Sequence, residues 1–254
     1  MSLDEYMNRI KPPAFDVENG RFPGFGGINS FVRNLSAPAE FCLVIFICFG
    51  LMLIHVVYLV ARHCMHLATP PVHFSNTLLL CLFTYESLVL AAVFWILRLR
   101  GWSFKGMGVQ VSWKSTGVGI LLYVFATMAY GLAELPLRHL HLGFGTFGLS
   151  AAGLTLPFII LSSATNPIFE ESMEIGYFIL SLERFGLWPA ILASALFRSV
   201  LHTYQGVNAV VGVFVMGVIF GLVYWKWRQL WPLIVAHSLM DFIGLLYLAH
   251  HVIK

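Results

Sequence analysis

Seven ionisable residues interrupt the apolar C-terminal stretches of this chain: Glu170, Glu171, Glu174, Arg198, His202, His237 and Asp241. A charge at the bilayer centre costs roughly 2.5–3.5 kcal/mol on insertion scales, so seven such residues together call for a chemical reason. Their spacing supplies one. Glu170 and Glu174 stand four apart and share a helix face, while Glu171 points about 100° away from Glu170. Arg198 and His202 are also four apart, and so are His237 and Asp241. Three helices would each carry a short polar stripe, tolerable in lipid only where the stripes meet. Pooled in one cavity, these carboxylates, two imidazoles and one guanidinium could ionise water, hold an oxyanion and balance its charge. Hydrolysis inside a membrane is the chemistry they suit.

The segments that must position them are long and apolar. Of 254 residues, 59% are hydrophobic and only 11% charged, against about 25% charged in a soluble domain. The runs are continuous rather than alternating, which favours helices over a barrel. The fold class expected is an all-α, polytopic membrane bundle of about seven spans, over 38–61, 74–97, 115–135, 150–182, 187–204, 208–225 and 231–250. The fourth is too long for one straight span, and Asn166-Pro167 interrupts it. A kink or re-entrant piece there would place Glu170 and Glu171 in the first turn of a fresh helix, where the helix dipole favours carboxylates.

Charge sets an orientation. Arg9, Lys11, Arg21, Arg33, Arg98, Arg100, Lys105, Lys114, Arg184, Lys226 and Arg228 fall on one side, against Arg62, Arg138 and Lys254 on the other. The positive-inside rule then makes the N-terminus cytoplasmic, with Trp225, Trp227 and Trp231 beside Lys226 and Arg228 as an interfacial belt. The N-terminus has no secretory pattern, so the first span is expected to be an uncleaved anchor. Residues 1–37 read as a polar N-terminal segment and 38–254 as one transmembrane domain, with the chemistry at about 150–250. The net charge of +3 marks no nucleic-acid patch.

Other polar residues carry weaker signals. Cys42, Cys48, Cys64 and Cys81 form no CxxC pair and read as packing residues. Glu86 and His55 lie within the second and first spans, placed either to pair with each other or to approach the cavity. His63, His66 and His73 gather in the loop after the first span; loosely spaced histidines usually bind nothing. Gly212, Gly217 and Gly221 fall on nearby faces of the sixth span and would let a neighbouring helix come close. Tyr204-Gln205-Gly206 follows His202, as a shaper of the site mouth or a plain helix-end turn.

Three motifs, taken in order, carry a family resemblance. Glu170-Glu171-Ser172-Met173-Glu174-Ile175-Gly176 resembles the EExxxRG motif of the type II CAAX prenyl protease family, also called CPBP or ABI. Arg198-Ser199-Val200-Leu201-His202, with Thr203-Tyr204-Gln205-Gly206, is similar to its FxxxH motif and HLYQG-like tail. His237-Ser238-Leu239-Met240-Asp241 resembles its HxxxN or HxxxD motif. The resemblance implies a metal-independent glutamate endopeptidase with no cofactor, cleaving a peptide or lipidated protein near the bilayer. By the same resemblance Glu170 polarises water, His202 helps to hold it, His237 and Asp241 line the oxyanion pocket, and Glu171 tunes charge. It also points to a bacterial-type inner membrane; the oligomeric state stays open.

Two positions depart from the pattern. Ile175 stands where the motif has arginine, and Arg198 where it has phenylalanine. The positive charge is therefore expected to have moved one helix on and to pair with Glu171 or Glu174. Asp241 stands where asparagine is common; ionised aspartate cannot donate to an oxyanion, so an orienting role toward His237 is expected. Two alternatives compete with the peptidase. One is a non-catalytic membrane scaffold or immunity protein of this fold, which the missing arginine favours. The other is a zinc-dependent membrane protease, which would use the same Glu and His residues but lacks an HExxH motif. Duplicated halves, expected of an ion-coupled transporter, are not evident.

Overall fold

The computed structural model describes residues 26–67, 72–139, 149–151 and 153–251. Its elements are α1 (Gly26–Arg33), α2 (Ala37–Cys64), β1 (Val72–Phe74), α3 (Asn76–Leu99), α4 (Trp113–His139), β2 (Leu149–Ala151) and α5 (Leu156–Glu170). A π-helical segment (Glu171–Tyr177) leads directly into α6 (Phe178–Leu182), followed by α7 (Leu187–Leu201), α8 (Val207–Trp227) and α9 (Trp231–His251). The architecture is a helical bundle. Its strands form only a three-residue parallel pair, Val72 opposite Leu149. Arg9, Lys11, Arg21 and Lys254, used in the charge count, lie outside the described residues, as do residues 1–25 of the polar N-terminal segment.

Six of the seven apolar segments each fall on one helix, and the fourth, 150–182, holds the end of β2, then α5, the π-helical segment and α6. Five helices, α2, α3, α4, α8 and α9, are long and apolar enough to cross a membrane. Helix α7 has 15 residues, about 22 Å of rise, short of the ~30 Å hydrocarbon thickness. Leu156–Leu182 is long enough but carries the three glutamates. Local sequence explains the starts. Ser36 and Ser75 accept hydrogen bonds from the amides of Ala39 and Leu78, capping α2 and α3. Gly186 and Gly206 precede α7 and α8 with φ of 94° and 95°, a region that a Cβ disfavours.

The fourth segment corrects an expectation. Asn166-Pro167 does not begin a fresh helix: α5 runs through Pro167 to Glu170, and the irregularity comes after it, as the π-helical turn. Proline forbids one donor but not the helix when neighbours pack around it, and Pro167 is buried. Glu170 and Glu171 are thus mid-helix, not in a first turn.

Packing places that turn at the centre. All seven residues of Glu171–Tyr177 are buried. Met173, Ile175 and Tyr177 join a core drawn from α2 (Val44, Phe49), α3 (Val93, Leu97) and α8 (Val213, Phe220), closed by Leu233 and Ile234 of α9. Helix α4 packs on α8 and α9, α7 on α8, and α5 on α3 and α9. Small residues allow the close crossings: a Cβ on Gly217 would meet Ala195 Cα at 3.0 Å, and one on Gly221 would meet Ile191 Cγ2 at 2.8 Å. The outer faces carry Phe46, Leu51, Val57, Leu121, Phe125 and Leu196, all exposed. An apolar surface of that extent suits lipid, not water.

Candidate active site

Helix α7 supplies the hub. Arg198 has no exposed surface, and its guanidinium is met by acids from the end of α5 and from the π turn that follows it. Nη2 lies 2.5 Å from Glu171 Oε1 and 3.4 Å from Glu170 Oε2, and Nε lies 3.3 Å from Glu174 Oε2. Phe220 of α8 closes the opposite side, its ring centre 5.7 Å from the guanidinium carbon. Ser194, one turn earlier on α7, donates to the Glu174 carbonyl at 2.5 Å and ties the helix to the π turn.

The π turn changes which acids share a face. On a regular helix Glu171 would point away from Glu170 and Glu174, but all three carboxylates reach Arg198. A π turn bonds five residues apart rather than four, seen where the Phe178 amide donates to the Met173 carbonyl. The wider turn leaves more side chains on the inner face. Ile175, at the place of the motif arginine, is fully buried in the core.

Helix α9 brings the second cluster. His237 Nδ1 lies 2.7 Å from Glu171 Oε1 and 2.9 Å from Arg198 Nη2. With Nδ1 protonated, both nitrogens donate to that one carboxylate oxygen. The other face of the ring, Nε2, looks toward Asp241 Oδ1 at 3.4 Å and Glu170 Oε2 at 3.8 Å. His202 sits where α7 passes into a short 3-10 turn. Its Nδ1 donates to the Arg198 carbonyl at 2.9 Å, which leaves Nε2 to meet a water or substrate. The charged groups acting on His202 include Glu170, Arg198 and His237. Glu170, Glu171, Glu174, Arg198, His202 and His237 are all buried, while the Asp241 side chain keeps 27% of its surface.

Two residues outside the three motifs join the site. Asn166 Nδ2 donates to Asp241 Oδ2 at 3.0 Å; as half of the Asn-Pro step it reads from sequence only as a helix breaker. Glu86 on α3 is buried, and the charged groups acting on it include Glu170, Asp241 and His237. It does not pair with His55, which is exposed and stacks on Tyr58 with ring centres 6.2 Å apart. His73 is held across the strand pair by Ser150, Nδ1 to Oγ 2.9 Å, and His63 and His66 are exposed. Tyr204 accepts a hydrogen bond from Gln205 at 2.9 Å within the 3-10 turn.

Chemically, the arrangement offers a carboxylate (Glu170) and an imidazole nitrogen (His237 Nε2) side by side, with a second imidazole from α7. Among the described residues no group of three or more His, Cys, Asp or Glu is arranged to hold a metal ion. The space between Glu170, Glu171 and Glu174 is taken by the guanidinium of Arg198.

Comparison with known proteins agrees in place and kind. No curated protein and no solved structure matches the chain. Residues 152–243 match the family model described as type II CAAX prenyl endopeptidase Rce1-like, a stretch that begins just before α5 and ends within α9. It therefore contains all three polar stripes and Asn166, and over this stretch the chain is similar to the type II CAAX prenyl endopeptidase family, on a bundle with five helices long and apolar enough to cross a membrane.

Proposed function

We propose that this protein is an intramembrane endopeptidase that attacks a peptide bond with water activated by Glu170, without a metal. The observation that carries the reading is the meeting of Glu170 with His237, 3.8 Å apart from different helices, inside the stretch matched by the endopeptidase family. Glu170 takes a proton from water held with His202 Nε2, and the hydroxide adds to the scissile carbonyl carbon. His237, as an imidazolium whose Nδ1–H is accepted by Glu171, turns its Nε2–H to the negative carbonyl oxygen. Asp241, itself held by Asn166, orients the ring, and the proton on Glu170 passes to the leaving amine as the C–N bond breaks. Glu171 and Glu174 fix Arg198 and set the charge around the base.

The substrate is a membrane-proximal or lipidated peptide, since the reactive groups lie among apolar spans. The excess of Lys and Arg on one set of loops supports a cytoplasmic N-terminus in a bacterial-type inner membrane. The polar N-terminal segment and a single transmembrane domain, with its chemistry at about 150–250, complete the reading. A comparison of membrane-peptide termini in host cells carrying wild-type protein or Glu170→Ala tests it. New termini that vanish in the variant, at equal protein abundance, identify a protease and its substrate together; identical termini refute the peptidase.

A further inference from the structure

Between α3 and α5 lies a groove of about 380 Å³, lined by Glu86, Leu90, Phe94, Phe104, Ile168 and Phe169. Its volume falls in the ~300–1,000 Å³ range of small-ligand sites. Ser87 and Ala91 at its rim are exposed, so in a membrane it opens onto hydrocarbon. The stacked rings of Phe94 and Phe104, 3.7 Å between centres, close one end. From there to Glu86 is eight residues of helix, about 12 Å.

Glu86 is the one ionisable residue of this lining. It is 8% exposed, and among the described residues no side chain donates a hydrogen bond to it or pairs with it. A buried carboxylate without a partner is costly. Burial, Glu170 and Asp241 all act against a negative charge there, with His237 opposing them, so Glu86 ionises when a cation comes to meet it. The Arg198 guanidinium is engaged by three other acids. A long apolar slot ending in an unmatched acid is complementary to a single hydrocarbon chain that ends in a cation.

We propose that this groove is a ligand site for a single-chain amphiphile bearing a protonated amine, drawn from the bilayer, with Glu86 as its counter-ion. The chain lies along Leu90, Ile168 and Phe169 toward the Phe94–Phe104 pair, and the amine meets the Glu86 carboxylate. Because Thr165 and Phe169 of the wall alternate with Asn166 and Glu170 of the site, an occupant lies directly behind the acid cluster. The site is independent of the peptidase reading, since occupancy requires no turnover.

The experiment uses the full chain in phosphatidylcholine nanodiscs, with dodecylamine and dodecanol as probes of equal chain length, in wild type, Glu86→Gln and Ala91→Trp. Binding is read by the shift of the thermal midpoint with probe concentration. Wild type is expected to bind dodecylamine at least about tenfold tighter than dodecanol. Glu86→Gln keeps the shape and should bind both probes alike. Ala91→Trp fills the groove from an exposed rim position and should bind neither. Equal affinity for both probes in wild type overturns the proposal. So does an amine preference that survives in Glu86→Gln, which would assign the charge to Glu170 or Asp241 instead, or binding undiminished by Ala91→Trp. Loss of proteolysis in every preparation would refute the peptidase alone and leave these affinities unchanged.

Discussion

Arg198 and Glu171, both fully buried, meet at 2.5 Å between Nη2 and Oε1, and His237 Nδ1 closes on the same oxygen at 2.7 Å. One carboxylate oxygen thus joins α7 and α9 to the π turn. Breaking a buried pair by removing one partner costs about 3–5 kcal/mol. Arg198→Leu strands three acids at once and is expected to reach the upper end of that range, read as a lowered thermal midpoint and lower abundance in membranes. Arg198→Lys keeps charge but loses the planar fork, and should recover only part. Unchanged stability of Arg198→Leu would show that the three carboxylates do not depend on it.

Glu170 is the loosest of the three acids on that guanidinium, at 3.4 Å. Glu170→Gln is therefore expected to fold and accumulate normally while cleavage falls about 10²–10⁴-fold, the usual worth of a general base. Product termini counted against protein abundance check both halves. Cleavage within tenfold of wild type would remove Glu170 from the base role.

Asn166 acts on the chemistry only through Asp241, by its 3.0 Å hydrogen bond. Asn166→Ala is expected to slow cleavage about tenfold, the equivalent of 1.4 kcal/mol in the barrier, with KM little changed. Asn166→Asp faces one carboxylate with another and should be worse. A change confined to KM would place Asn166 in substrate binding instead.

Outside the acid cluster, Glu40 accepts from Arg100 Nε at 2.6 Å, Trp102 Nε1 at 3.1 Å and Tyr177 OH at 3.2 Å. It pins the start of α2 to the loop after α3 and to the end of the π turn. Glu40→Ala leaves three donors unmatched and is expected to cost about 1–3 kcal/mol. The part-buried Arg228–Glu183 pair offers a contrast, since it joins Glu183 to one guanidinium against the three donors on Glu40, and Glu183→Ala should cost less than Glu40→Ala. Denaturation of the two variants in the same detergent ranks them; a larger loss for Glu183→Ala would reverse the assignment.

The helix contact at Gly221 can be tested by bulk. Its added Cβ would stand 2.8 Å from Ile191 Cγ2, so Gly221→Leu is expected to destabilise by about 1–3 kcal/mol through overpacking. Gly117, with nothing within 4 Å of an added Cβ, should tolerate leucine, and thermal midpoints of the pair decide the matter.

Sequence alone determined the parts that depend on short-range pattern. Six of the seven apolar runs each became one helix because length and continuity are local properties, and the i, i+4 spacing of His237 and Asp241 put both on one face before any packing was known. The three motifs likewise set which helices had to meet. What the sequence could not hold was the register where neighbours intervene. Pro167 looked like a break, yet burial around it kept α5 whole and moved the irregularity to Glu171–Tyr177. That wider turn, supported by Ser194 and Arg198 from α7, brought Glu171 around to its partners against the regular helical angle. Glu86 and Asn166 entered the site for the same reason: their place depends on how α3, α5 and α9 rotate against one another. Periodicity along one helix carries no information about that rotation; only the packed core decides it.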